Sequence, residues 1–167
     1  DKIVEAAELL VDLKDVRILF AGGGAAKGEV EALVKEKGLS NVVLIPRQQK
    51  DLMPKLWSLC DISLISLKDT NLFKTVIPSK IFESMGMGLP MVMTSPIGEA
   101  TTILTESHSG VIVKPESPED VASVIRELYQ DRTRLDKLAT SSAKAAQIYD
   151  RKQLAESMLN KILETNK

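Results

Sequence analysis

Val16-Arg17-Ile18-Leu19-Phe20-Ala21-Gly22-Gly23-Gly24 is a short, nearly continuous apolar run halted by three glycines. A run of this length bounded by turn residues reads as a buried strand, and helical spacing on both sides supports that. Upstream, residues 1–13 place Ile3, Ala6, Ala7, Leu10 and Leu13 on one helical face. Downstream, residues 25–37 turn Val30, Leu33 and Val34 inward before a stop at Gly38. The same alternation then repeats. Val42-Val43-Leu44-Ile45 ends at Pro46, and helix 51–58, strand 61–66, helix 79–87, strand 91–94, helix 98–107, strand 111–113 and helix 118–130 follow. Strands without a polar face are expected to be covered on both sides, the pattern of a parallel sheet between helices. Ser117 before Pro118 supplies a helix cap, with Glu119 and Asp120 in the first turn. The expected fold is α/β: a doubly wound, Rossmann-like parallel sheet over 16–113 with a helical tail over 118–167, interrupted near Tyr149-Asp150. No repeat or linker divides the chain, so residues 1–167 are read as one domain.

Composition narrows the function. The 167 residues carry 22 basic and 23 acidic side chains, a formal net charge of −1, without the basic excess of a nucleic-acid binder. One cysteine, Cys60, and one histidine, His108, exclude a disulfide framework and a Cys/His zinc cluster. No apolar run reaches the roughly 18 residues of a membrane span, and the first residues hold no signal-peptide core. The expectation is a soluble, reduced, cytoplasmic domain.

In an open α/β sheet, ligands gather at the carboxyl ends of the strands. Four loops lie there: 22–25, 46–51, 67–79 and 95–98. Gly22, Gly23 and Gly24 stand where backbone amides can approach a phosphate. Lys27 occupies the third glycine position of the dinucleotide fingerprint, and no G-K-[ST] is present. A plain tight turn and an anion site both remain open. The connection 67–78 is long for a compact domain, which favours function. It delivers Pro78-Ser79-Lys80 to a helix start, with Glu83 one turn on and Ile81, Phe82 and Met85 turned inward. Lys80 in a first helical turn opposes the macrodipole by roughly 0.3–1 kcal/mol. Its pairing with Glu83 also runs in the weaker, lysine-first order. A bound anion would resolve that mismatch; a solvated Lys–Glu surface pair is the plain alternative. Glu83 could accept from two vicinal hydroxyls, each bond to a charged group contributing about 1.5–3 kcal/mol. A phosphate beside Lys80 and a diol beside Glu83 together describe a nucleotide. Elsewhere, Trp57 with Leu52, Met53 and Leu56 reads as core, His108 as exposed, Cys60 as packing, and Glu99 as a helix-start acid.

Residues 77–92, Ile-Pro-Ser-Lys-Ile-Phe-Glu-Ser-Met-Gly-Met-Gly-Leu-Pro-Met-Val, resemble the nucleotide-sugar segment of GT-B glycosyltransferases of family 4, written P-S-K-x-x-E-y-m-a-x-G-k-P-i-v. The closest likeness is to the bacterial branch making capsule, O-antigen and colanic-acid-type polysaccharides. The stretches 17–24, 41–47, 60–64 and 98–120 resemble other parts of the same pattern, about 150 residues in all. The resemblance implies a glycosyltransferase that moves a sugar from a nucleotide-diphosphate donor, UDP by analogy, to a glycan or lipid-linked acceptor. It implies Glu83 on the ribose, Ser79 and Lys80 facing the diphosphate, Pro46 and Arg47 at the base, and Gly22, Gly23 and Gly24 bordering the cleft. Thr75 replaces the family's frequent first glutamate, leaving Lys74, Thr75 and Val76 as candidate sugar contacts. Ile77 and Pro78 complete the donor-binding set, and Lys80 and Glu83 are the residues expected to act in catalysis.

Without paired carboxylates at metal spacing, the expected route is metal-independent and cofactor-free, with Lys80 and the helix amides holding the leaving group. Family analogy implies retention of configuration, transfer of a hexosyl or N-acetylhexosaminyl group, and a cytoplasmic protein peripheral to the inner membrane. The GT-B fold has two Rossmann-like domains, and 167 residues supply one. The chain is therefore expected to be the C-terminal, donor-binding half, inactive by itself, with the N-terminal acceptor domain outside it. The family's first strand of this half would then precede Asp1; in the order 3-2-1-4-5-6 it is central, and without it two strand edges lie open. Three alternatives stand beside this: a non-catalytic nucleotide or dinucleotide module, a GT-B-type UDP-sugar epimerase, and an interaction protein that dimerises through its amphipathic tail.

Overall fold

A computed structural model describes residues 1–165; the last two residues of the expected tail lie outside the described residues. The chain runs α1 (Lys2–Glu8), β1 (Ile18–Ala21), α2 (Lys27–Glu36), β2 (Val42–Ile45), α3 (Met53–Trp57) and β3 (Ser63–Ser66). After a 3-10 turn (Asn71–Lys74) come α4 (Ser79–Gly86), β4 (Met91–Thr94), α5 (Glu99–Ser107), β5 (Gly110–Val113), α6 (Pro118–Gln130), α7 (Arg132–Ile148) and α8 (Arg151–Thr165). Every strand pairing is parallel, so the fold is α/β, Rossmann-like, with a helical C-terminal tail.

The strands form two separate ladders. β1 pairs with β2, and β3, β4 and β5 pair in that order, Val92 sitting between Leu64 and Val111. Side chains alternate between two cores, as a pleat requires. Val92 and Leu64 face one core with Ile18 and Phe20 of β1, the α1 residues Val4 and Ala7, Leu10 just beyond that helix, and the α6 residues Val121, Ile125 and Leu128. Met91, Met93 and Ile65 face the other, with Ile81 and Met85 of α4 and Ala100 and Leu104 of α5. Thus α1, α2 and α6 cover one face, and α4, α5 and the end of α7 cover the other. Right-handed crossovers then carry β1 to β2 in one direction and β3 to β5 in the opposite one. The winding reverses between β1 and β3, which puts the switch point, and their open inner edges, at the middle of the molecule.

Local signals explain the ends. Gly38 and Gly88 take φ of 61° and 66° and close α2 and α4, with Leu39 N donating to Val34 O and Leu89 N to Ser84 O. His108 performs the same turn after α5 at φ 50° and is exposed, as expected. Ser117 Oγ accepts from Asp120 N at the start of α6. The tail breaks after Ile148, where Asp150 Oδ1 accepts from Lys152 N and Gln153 N to start α8.

Four expectations need correction. Only β4 is buried along its whole length, because it alone has a neighbour on both sides; Val43 of β2 is 39% exposed. Helix 1–13 ends at Glu8, and Leu10 reaches the core through tighter turns, Leu10 N donating to Ala7 O and Leu13 N to Leu10 O. The loop 67–78 contains a 3-10 turn. Around Trp57 burial is only partial: α3, five residues long, half-buries Met53, Leu56 and Trp57 and buries none of them fully, and Leu52 is exposed. So short a helix cannot lay a full apolar stripe on the sheet.

Candidate functional site

Helix α4 starts at the carboxyl end of β3. Pro78, its N-cap, has φ −66° and ψ 133°, and no side chain caps the first turn, which contains no acid. Ile81 N donates to Pro78 O at 3.1 Å, so the free amides of that turn are those of Ser79 and Lys80, both exposed residues. Lys80 is exposed, and its ammonium has no ion-pair partner among the described residues. The expected Lys80–Glu83 pair does not form. Ser79 Oγ instead donates to Glu83 Oε1 at 3.0 Å, which orients the carboxylate and leaves the cation to solvent. Phe82, expected inside, is 36% exposed and packs against the Tyr149 ring with centroids 5.4 Å apart. The helix is held from below at Ser84, whose buried Oγ lies 2.7 Å from both Lys80 O and Ser63 Oγ. Met85 packs against Met91 and Met93 beneath it.

The remaining expected residues fall into separate groups. Gly22, Gly23 and Gly24 line a cavity of about 220 Å³ together with Phe20, Leu44 and Ile45. Gly23 lies against Arg47, whose Cβ is 3.6 Å from where a Gly23 Cβ would stand. The structure therefore joins the glycine loop to the end of β2. Pro46 O accepts from Gln48 Nε2 at 2.8 Å, so Gln48, which the sequence reading passed over, engages the carbonyl expected at the base. Thr75 Oγ1 donates to Leu72 O at 3.2 Å and closes the 3-10 turn; Val76 is half-buried, and Ile77 is 38% exposed ahead of Pro78. Among the described residues no hydrogen bond or ion pair joins the glycine loop to Ser79, Lys80 or Glu83. The two groups flank the switch point, one at the end of β1 and β2, the other at the start of α4.

A contact the sequence could not signal fixes the loop before α4. A Cβ on Gly98 would stand 2.0 Å from the Lys74 carbonyl oxygen, so only glycine admits the 3-10 turn against the start of α5. Glu99 occupies the first turn of α5 and complements its dipole. Burial and the neighbouring Asp61 charge raise the Cys60 thiol above its ordinary range, which suits packing and not nucleophilic chemistry. Among the described residues no group of three His, Cys, Asp or Glu side chains is placed to hold a metal ion.

A family model described as "Glycosyl transferases group 1" matches residues 1–131. The chain belongs to the group 1 glycosyl transferases. No curated protein matches it. Its fold resembles that of HepE from Anabaena, solved in complex with UDP and glucose, at a TM-score of 0.75 and 20% identity over 94% of this chain and 43% of that one. It also resembles a glycosyltransferase from Rickettsia africae, at 0.74 and 20% over 98% of this chain and 43% of that one. The C-terminal domain of LpcC from Francisella tularensis aligns at 0.72 and 22%, covering 89% of this chain and 77% of that domain. At such identities the likeness is one of fold. This group 1 glycosyl transferase chain spans less than half the length of the first two relatives. None of its described helices is long and apolar enough to cross a membrane.

Proposed function

We propose that this chain is the C-terminal, donor-binding half of a glycosyltransferase that moves a hexosyl or N-acetylhexosaminyl group from a UDP-sugar to a glycan or lipid-linked acceptor. The observation that carries the reading is the start of α4: an uncapped helix end, an unpaired Lys80, and a Glu83 carboxylate oriented by Ser79. Lys80 and the free amides hold the diphosphate as negative charge develops on it, a metal-independent means of stabilising the leaving group. Glu83, with Oε1 already occupied by Ser79, keeps lone pairs for the ribose hydroxyls. Arg47, Pro46 and Gln48 border the base across the switch point, and Gly22, Gly23 and Gly24 admit the pyrophosphate between the two groups. Thr75, Val76, Ile77 and Pro78 line the sugar side. Transfer proceeds with retention, in the cytoplasm at the inner membrane, and serves bacterial surface polysaccharide synthesis.

The winding supports a place for this half in a longer enzyme. Because α1 covers the same face as α2, a right-handed connection puts a strand preceding α1 on the inner edge of β1, in the slot facing β3. The acceptor site and any acid or base it contributes belong to a second domain. Isothermal titration tests the reading: UDP binds this chain weakly, Lys80→Ala and Glu83→Ala each weaken it by about tenfold or more, and the chain alone transfers no sugar. Unchanged UDP affinity in both variants refutes it.

A further inference from the structure

A second cavity lies apart from Ser79, Lys80, Glu83 and the glycine loop; of the candidate donor contacts it includes Lys74 alone. It measures about 600 Å³ and opens at the carboxyl ends of β4 and β5, lined by Ser95, Pro96 and Ile97, by Lys114 and Pro115, and by Asp69 and Lys74 of the long loop. Its charges are unspent: Lys74, Lys114 and Asp69 have no ion-pair or side-chain hydrogen-bond partner among the described residues. The lining therefore carries one positive charge in excess. Lys74 is not a loose surface lysine, because its backbone is seated against Gly98 at the start of α5. The other half of the lining is apolar, with Ile112 and Pro96 inside. At the mouth, Ile97 is 75% exposed, and Leu72 in the adjoining 3-10 turn is 66% exposed. Two unpaired ammoniums beside protruding aliphatic side chains suit a ligand that is anionic at one end and hydrocarbon at the other.

We infer that this cavity is a binding site for a phosphate-bearing amphiphile, with the phosphate between Lys74 and Lys114 and the apolar chain over Ile97 and Pro96. The loop that carries Lys74 runs on into the donor residues at Pro78 and Ser79, but the binding does not depend on the proposed transfer. The excess of a single positive charge fits one phosphate group rather than a polyanion.

The test is an amide NMR titration of this chain with octyl phosphate below its micelle concentration, against inorganic phosphate and octyl glucoside. Octyl phosphate is expected to shift Ile97 and Lys114 saturably. Each half-ligand is expected to bind about tenfold more weakly or worse. Lys74→Gln with Lys114→Gln abolishes the shifts, and Ile97→Ser reduces the octyl phosphate response to that of inorganic phosphate. Equal binding of octyl glucoside overturns the proposal, as does survival of the shifts in the double variant. Inorganic phosphate binding as well as octyl phosphate overturns it in favour of a small-anion pocket, and binding to phosphatidylglycerol vesicles without octyl phosphate binding overturns it in favour of a membrane surface. A parallel UDP titration read at Ser79, Lys80 and Glu83 reports on the donor site separately, so failure of one reading is distinguishable from failure of the other.

Discussion

Gly98→Ala probes the contact that positions both the cavity and the approach to α4. An added Cβ would lie 2.0 Å from the Lys74 carbonyl oxygen and 2.7 Å from the carbonyl carbon, both backbone atoms that no rotamer change can withdraw. The φ of Gly98 is 178°, an extended value open to any residue, so the penalty is purely steric. Relief requires the 3-10 turn to move by more than an ångström. Overpacking of this kind costs about 1–3 kcal/mol. In a chain of this size each kcal/mol lowers Tm by about 2–4 °C, which gives a fall of about 2–12 °C by circular dichroism. UDP binding weakens in the same variant, because the displaced turn leads directly into Thr75, Pro78 and Ser79. Gly28→Ala is the control. Gly28 lies in the first turn of α2 with nothing within 4 Å of an added Cβ, so alanine there stabilises by about 0.5–1 kcal/mol. A Gly98→Ala protein melting within about 1 °C of the parent would show that Lys74 does not rest against position 98 in solution, and the placement of the whole loop would fall with it.

Other consequences are as direct. Ser142→Ala removes a buried 2.7 Å hydrogen bond to Leu89 O and leaves that carbonyl without its donor, which costs about 1–3 kcal/mol in denaturant unfolding. The Arg126 guanidinium, bidentate on Asp12 at 2.6 and 2.9 Å, holds that carboxyl below the ordinary aspartate range. The sign follows from linkage: a carboxyl depressed in the folded state lends stability above its unfolded pKa, lost as pH falls through the folded one. Carboxyl-carbon NMR should find Asp12 titrating low, and returned toward the ordinary range in Arg126→Gln. Leu154, Met158, Leu159 and Leu163 on α8 are 49–67% exposed, so ending the chain at Asp150 should reduce self-association in light scattering; an unchanged mass refutes a role for α8 in dimer contacts.

Much of the fold could be read from the chain because its signals are local. The apolar runs at 18–21, 42–45 and 91–94, the cap at Ser117 and the break near Tyr149 each act within a few residues of the structure they specify. What escaped notice depends on distant neighbours. Strand burial is set by what covers each face, so Val42-Val43-Leu44-Ile45 and Met91-Val92-Met93-Thr94 look alike but differ in exposure. The partner of Glu83 was decided between Ser79 and Lys80 by the geometry of one helical turn, and both candidates have suitable spacing in sequence. Phe82 fits an inward position by periodicity, yet α4 presents Ile81 and Met85 to the sheet and leaves Phe82 to α7. Gly98 could not be recognised, since its constraint is a carbonyl 24 residues away in the chain.

Two thioethers, Met91 and Met93, lie beneath α4 beside Ile65, Ala100 and Leu104. Met85, Met91 and Met93 are unbranched side chains with three rotatable bonds each, able to re-form their contacts after a small displacement without opening a void. Ser84 ties the helix to β3 through Ser63 Oγ, and the thioether contacts beside it yield. Small tilts of the helix can therefore be absorbed without opening a void. The elasticity comes from torsions in the core rather than from broken hydrogen bonds, and replacing those methionines with β-branched residues would stiffen the helix while leaving its surface chemistry intact.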